Sequence, residues 1–253
     1  MSMRSTGVDN AEPCAERPTS EDPLPSARTV VCLGASFDPP HFGHAAMACL
    51  AVRALKNEAT PAPEVWLLPS LSRWDKVPTA PFSVRFQWCE TLAQELRKDG
   101  VQAIASSAEH DFSSVFRGTV TFLKALRASH PTVTFVFLCG EDALRSLDSW
   151  RDPLEKGTNG LSLFEECRVF VVPRGGAQGP RPPWFTHPRV TLLPDLGTLD
   201  GEFKTKHGLV GSLTSLASTN IRMAYARQET PRGFLYAALE EAIALHAKQG
   251  WSV

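Results

Sequence analysis

The stretch VVCLGASFDPPHFGH, residues 30–44, closes an apolar run with a turn and then sets two histidines three residues apart. A plain loop needs the glycine and the prolines; it does not need the histidines. If a helix begins near His41, then His41 and His44 share one face of its first turn. The unpaired N–H groups and dipole of such a helix start attract an anion. Two imidazole donors beside them suit a phosphate chain. The competing readings are a capped helix that tolerates its histidines and a two-histidine metal site. The second lacks a further ligand type nearby, so no residue is assigned to a metal.

A second stretch, LASTNIR at residues 216–222, points to the same chemistry. Ser218 or Thr219 can cap a helix whose free N–H groups then face phosphates. Arg222 adds a planar, permanently charged fork. A solvated arginine on a surface helix is the plainer alternative.

These residues need elements to hold them. TVVCLG, EVWLLP, VQAIA, TVTFVFLCG, CRVFVVPRGG and RVTLLP read as strands, with Gly34 ending the first. Between them, helical spacing covers His44–Lys56, Val84–Lys98 and TVTFLKALRASHP, the last stopping before Pro131. One closing helix starts at STNIRMAYARQ and another runs from about Arg232 to Gln249. Alternation of this kind predicts an α/β fold, a doubly wound parallel sheet with C-terminal helices, with ligands at the carboxyl ends of its strands. Residues 1–28 are rich in Ser, Pro, Glu and Asp and read as a disordered leader; 29–253 read as one catalytic domain.

Composition narrows the function. The 253 residues are 43% hydrophobic with a net charge of -1, which argues against nucleic acid or a membrane surface as partner. Six cysteines without a C-x-x-C pair fit buried thiols of a reducing compartment, so a cytoplasmic or nuclear location is expected. No apolar run is long enough to span a bilayer. The first strand is not followed by G-x-G-x-x-G, nor does the chain contain G-x-x-x-x-G-K-[ST], which disfavours a dehydrogenase and a Walker-type ATPase.

GASFDPPHFGH resembles GGSFDPPHxGH, the signature of nicotinate/nicotinamide mononucleotide adenylyltransferases within the HxGH nucleotidylyltransferase superfamily. Ala35 replaces the second glycine. LASTNIR resembles that family's ISSTxIR, with Ala217 in place of the first serine. The resemblance implies a Rossmann-like nucleotidylyltransferase fold and a reaction between ATP and a pyridine mononucleotide. It also implies a Mg²⁺ ion held chiefly by the ATP phosphates. His41, His44 and Arg222 are then the catalytic residues; Gly34, Ser36, Phe37, Ser218 and Thr219 line the phosphate site. LCGEDAL resembles the family's GxD segment, placing Gly140 and Asp142 by the adenosine ribose, although Asp142 also reads as a helix N-cap. Trp150, in DSWRD, matches a tryptophan that stacks on the pyridine ring. Thr119, in RGTVTF, takes the place of a residue lining the nicotinate pocket, where the family has SYT. Lys76, in RWDKVP, corresponds to a lysine that meets phosphate, with Arg73 competing and Arg85 read as structural. Arg174, in VVPRGG, resembles an arginine of the RPG stretch.

The insertions and the LCGxD string lean toward eukaryotic members. The choice between nicotinate and nicotinamide stays open, as does a homo-oligomer. Rival readings are a sibling transferase acting on pantetheine phosphate, glycerol phosphate or phosphocholine, and a non-catalytic nucleotide-binding module.

Overall fold

The computed structural model describes residues 28–58, 61–71, 77–112, 118–150, 160–173, 175 and 179–248. In chain order the elements are β1 Arg28–Ala35, α1 Phe42–Leu55, β2 Glu64–Pro69, α2 Phe82–Lys98, β3 Ala103–Ala105 and α3 Ala108–Asp111. There follow α4 Thr119–Ser129, β4 Val133–Gly140, α5 Glu141–Arg145, α6 Leu163–Glu166, β5 Arg168–Val172 and β6 Val190–Leu192. The chain closes with α7 Asp200–His207, α8 Ser218–Ala226 and α9 Ala237–Ala247.

The strands form one parallel sheet in the order β3-β2-β1-β4-β5-β6. Successive side chains of a strand point to opposite faces, and here both faces are covered. Val31, Leu33, Val65, Leu67, Val136 and Leu138 pack with α1, α2, α8 and α9. Val30, Cys32, Trp66, Phe135, Phe137 and Cys139 pack with α4 and α6 on the other side. This is why the strands read as unbroken apolar runs rather than alternating ones. Five cysteines, Cys32, Cys49, Cys89, Cys139 and Cys167, are buried and free.

Strand order reverses between β1 and β4, which pair from Arg28↔Val133 to Leu33↔Leu138. A crevice opens at the carboxyl ends of strands at such a switch point. Gly34, near the end of central β1, is exposed, so backbone in the middle of a buried sheet faces outward there.

Two expectations need correction. The last helix starts at Ala237 rather than near Arg232. Gly233 has φ +76, and its carbonyl accepts from the Val210 N–H at 3.0 Å, so residues 231–236 form a turn. A Cβ at Gly233 would lie 2.5 Å from Val210 Cγ2 and 2.8 Å from the Gly208 carbonyl oxygen. Leu235 is buried as expected, but from this turn. Helix α7 is absent from the sequence reading because DGEFKTKH offers one buried residue, Phe203, and no apolar stripe. No helix among the described residues is long and apolar enough to cross a membrane.

Candidate active site

The turn after β1 carries the two histidines, and its geometry follows from reciprocal capping. His41 is the N-cap of α1. Its Nδ1 accepts from the Gly43 N–H at 3.1 Å, while the His44 Nδ1 accepts from the His41 N–H at 3.2 Å. The rings lie 4.1 Å apart between centroids and both residues are buried. An Nδ1 that accepts from a backbone N–H carries no proton, so each neutral ring holds its proton on Nε2. The cap therefore sets the tautomer as well as the orientation.

The intervening glycine has a steric reason. A Cβ at Gly43 would sit 2.8 Å from His41 Cε1 and 2.9 Å from His41 Nδ1. Only glycine lets the His41 ring fold back over the helix start.

The structure corrects one part of the anion-site expectation. The first N–H groups of α1 are already used: Phe42 N–H donates to the Phe234 carbonyl at 3.0 Å, Gly43 N–H to His41 Nδ1, and His44 N–H to the His41 carbonyl at 2.9 Å. The first backbone N–H groups of this helix are therefore not left over for an anion.

Phe37, expected to line the phosphate site, is fully buried and packs its ring 4.8 Å from that of His44. Its φ of 47 places a bulky side chain in the left-handed region, at a cost of about 1–3 kcal/mol that surrounding packing must offset. Ser36 is half-buried, and its carbonyl accepts from Arg85 Nη1 at 2.7 Å.

Arg222 reaches the same turn from α8, 184 residues away in the chain: its Nη1 donates to the Asp38 carbonyl and pairs with Asp38 Oδ2 at 3.4 Å. Its Nη2 donates to Thr219 Oγ1 at 3.2 Å. Neither hydroxyl of this segment caps the helix, contrary to expectation. The N-cap is Ala217, without a side-chain bond, and Ser218 Oγ instead donates to the Pro39 carbonyl at 2.8 Å. LASTNIR thus ties α8 onto the histidine turn. Two buried polar atoms here have no hydrogen-bond partner, Arg222 Nε and Ser70 Oγ; Ser70 follows β2, its N–H donating to the Ala35 carbonyl at 2.9 Å.

Sequence reasoning left two residues of this centre out of the site. Asp38 is fully buried, and its carboxylate accepts from Thr79 N–H at 2.8 Å, Ala80 N–H at 3.1 Å and Thr79 Oγ1 at 2.9 Å. Arg85, 1% exposed, donates from Nε to the Ala80 carbonyl at 3.0 Å as well as to Ser36. Burial pulls the Arg85 guanidinium below its ordinary pKa, and the Asp38 charge opposes that shift. The legible signal was a charged residue on the apolar stripe of Trp88, Leu92 and Leu96. Two guanidiniums around one carboxylate leave an excess of positive charge at the turn.

Across the switch point, Gly140 ends β4 and is the N-cap of α5. This removes the N-cap reading of Asp142, which sits exposed in the first turn of α5. Beside it, buried Glu141 accepts from Arg145 Nη2 at 2.8 Å and Arg181 Nη2 at 3.2 Å. Hydrogen bonding from Arg181, the largest effect, and from Arg145 holds its carboxyl below the usual range, against the opposing effect of burial. Trp150 is half-buried, edge-on to Phe137 at 6.3 Å, with Nε1 donating to Ser146 Oγ at 3.3 Å. Thr119 opens α4 on the face of the sheet opposite α1. Lys76, Arg73 and Arg174 lie outside the described residues. Among the described residues there is no group of three or more His, Cys, Asp or Glu that could hold a metal ion.

Comparison with known proteins identifies the family. Residues 32–175 match the cytidylyltransferase-like family model. A relative from Anaeromyxobacter dehalogenans (strain 2CP-C), named as a probable nicotinate-nucleotide adenylyltransferase, is 30% identical over 84% of this chain and 91% of its own length. One of the same name from Myxococcus xanthus (strain DK1622) is 32% identical over 66% of this chain and 80% of its own. The fold is shared with a solved Plasmodium falciparum nicotinic acid mononucleotide adenylyltransferase complexed with NaAD. The TM-score is 0.60 at 17% identity, covering 89% of this chain and 98% of that one. The fold, the histidine turn and these likenesses together place the chain in the cytidylyltransferase-like family, among the nicotinate-nucleotide adenylyltransferases.

Proposed function

We propose that the chain transfers the adenylyl group of ATP to the 5′-phosphate of nicotinate mononucleotide, giving the deamido form of NAD and pyrophosphate. The observation that carries this reading is the convergence of the reciprocally capped His41 and His44 with Arg222 on one turn beside the β1–β4 switch point. The relatives named for nicotinate support that mononucleotide over the amide; they are bacterial, against the eukaryotic lean of the insertions.

The mononucleotide phosphate attacks the α-phosphorus of ATP, an O–P bond forms, and the bond to the β-phosphate's bridging oxygen breaks. A phosphate monoester with a second pKa of about 6 is already mostly ionised at neutral pH, so the chain supplies no general base. Its task is to hold two anions in line and stabilise charge on the departing pyrophosphate. The Nε2–H groups of His41 and His44 serve as donors fixed before substrate arrives, which avoids reorganisation during the reaction. Arg222 Nε, buried without a partner, gains one when a phosphate oxygen arrives.

Gly34, exposed at the end of β1, lets the triphosphate approach the backbone, with Ser36 and Phe37 shaping the turn and Ser218 and Thr219 the opposite wall. The family resemblance assigns Gly140 and Asp142 to the ribose, Trp150 and Thr119 to the pyridine ring, and Lys76 and Arg174 to further anion contacts. A Mg²⁺ ion bound to the ATP phosphates would neutralise part of their charge; the carboxylate of this centre, Asp38, is committed to protein donors, so the phosphates and water would hold the ion. Residues 29–253 act as one catalytic unit, and buried free thiols suit the reducing cytoplasm.

The test is dinucleotide formation by purified protein with ATP and Mg²⁺, run in parallel on the acid and amide mononucleotides. Product with kcat/KM at least tenfold higher for the acid is expected. Equal values overturn the nicotinate assignment. No product from either, with ATP still bound, turns the assignment toward a sibling transferase.

A further inference from the structure

Asp38 joins three parts of the chain that have no sequence proximity. Its carbonyl and carboxylate hold Arg222 of α8, and the same carboxylate holds the backbone of Thr79 and Ala80 at the entry to α2. It is itself part of the histidine turn. Arg85 closes the same joint from the other side, through the Ser36 and Ala80 carbonyls.

The guanidinium has five N–H groups in a rigid plane. With Nη1 turned to Asp38 and Nη2 donating to Thr219, the edge of the plane that carries Nε keeps that donor unused. That edge contains the buried Nε without a partner. It is also the edge that forms two parallel bonds to a phosphate. A carboxylate next to a phosphate site is costly by charge alone, so its presence calls for a role that outweighs repulsion.

We propose that Asp38 is a positioning residue: it fixes the plane of Arg222 and the register of Thr79–Ala80 against the histidine turn, so that one guanidinium edge is presented to the pyrophosphate half of the nucleotide. This rests on the reading of Arg222 as a phosphate contact. Charge and positioning predict opposite signs when the carboxylate is neutralised, which makes the role testable.

The experiment is calorimetric binding of inorganic pyrophosphate to the full chain and to Asp38→Asn, with kcat measured at saturating substrates well below the melting temperature of each. The variant should bind pyrophosphate at least tenfold more weakly, a difference of about 1.4 kcal/mol, and kcat should fall at least tenfold. Equal or tighter binding by a folded variant overturns the positioning role alone. Failure of the unmodified chain to bind pyrophosphate overturns the reading of Arg222 and the proposal with it. Should Asp38→Asn not fold, Thr79→Val removes the hydroxyl's bonds to the carboxylate and leaves the Thr79 and Ala80 N–H bonds in place. Binding about threefold weaker at an unchanged melting temperature is then expected, and unchanged binding overturns the proposal.

Discussion

His41 and His44 cap the same helix start reciprocally, each ring accepting a backbone N–H through Nδ1, at 3.1 and 3.2 Å, with ring centroids 4.1 Å apart. One pair of bonds thereby does two things: it ends the turn and it puts the ring protons on Nε2. In the proposed function, stability and chemistry use different atoms of the same side chains, so substitutions can separate them.

His44→Asn is the cleanest separation. An asparagine carbonyl oxygen can take the place of Nδ1 and keep the cap on His41 N–H, but it supplies nothing at Nε2. We expect kcat/KM to fall at least 100-fold, about 2.7 kcal/mol of lost transition-state stabilisation, with thermal stability changed by less than about 1 kcal/mol. Activity within threefold of the unmodified chain, in steady-state kinetics, removes His44 from the chemistry.

Gly43→Ala tests the steric argument. In a helix the change would by itself favour folding by about 1 kcal/mol, but the new methyl meets the His41 ring at 2.8 Å. The ring must move, so kcat is expected to drop at least tenfold while the melting temperature shifts little. Unaltered kcat would show that the His41 ring does not need its observed place.

The Glu141 clamp gives a pH signature. Its folded pKa is held below the ordinary 4.5, chiefly by Arg181. A depressed carboxyl stabilises the fold above its unfolded pKa and loses that contribution as pH falls through the folded value. Glu141→Gln should therefore cost about 1–2 kcal/mol near pH 7, and the gap should narrow only below about pH 4.5. Melting curves from pH 3 to 7 check this; a gap that closes nearer pH 6 points to another group.

The buried thiols should be inert. Burial pushes Cys49 up to about 11 and Cys167 up to about 12, and raises Cys32, Cys89 and Cys139 as well. The thiolate is the reactive form, so native protein at pH 8 should leave these five unalkylated by iodoacetamide for hours. Peptide mass spectrometry reads the result, and rapid labelling of any of them would show local opening.

Much of the fold was legible because burial on both faces writes long apolar runs, as in Val133–Gly140, because α2 carries an apolar stripe, and because α1 is apolar and buried all round from Phe42 to Ala51. Helix α7 was not, since a helix anchored by Phe203 alone leaves no period to read. The start of α9 was misplaced because Leu235 is buried from a turn, and burial without backbone conformation looks the same in a sequence.

The site divides along a similar line. Local spacing determined the histidine turn and the arginine of α8, since both are short motifs whose chemistry lies in residue type and separation. Tertiary structure decided what holds those groups. The N–H groups of α1 were spent on the 231–236 turn and on the histidines themselves, which no local rule could foresee. Asp38 looked like one more turn former, yet its bonds span 41 and 184 residues of chain. Hydrogen bonds over such separations depend on which segments the sheet brings together. The sequence determined which side chains the proposed phosphate site draws on; packing decided how each of them is held.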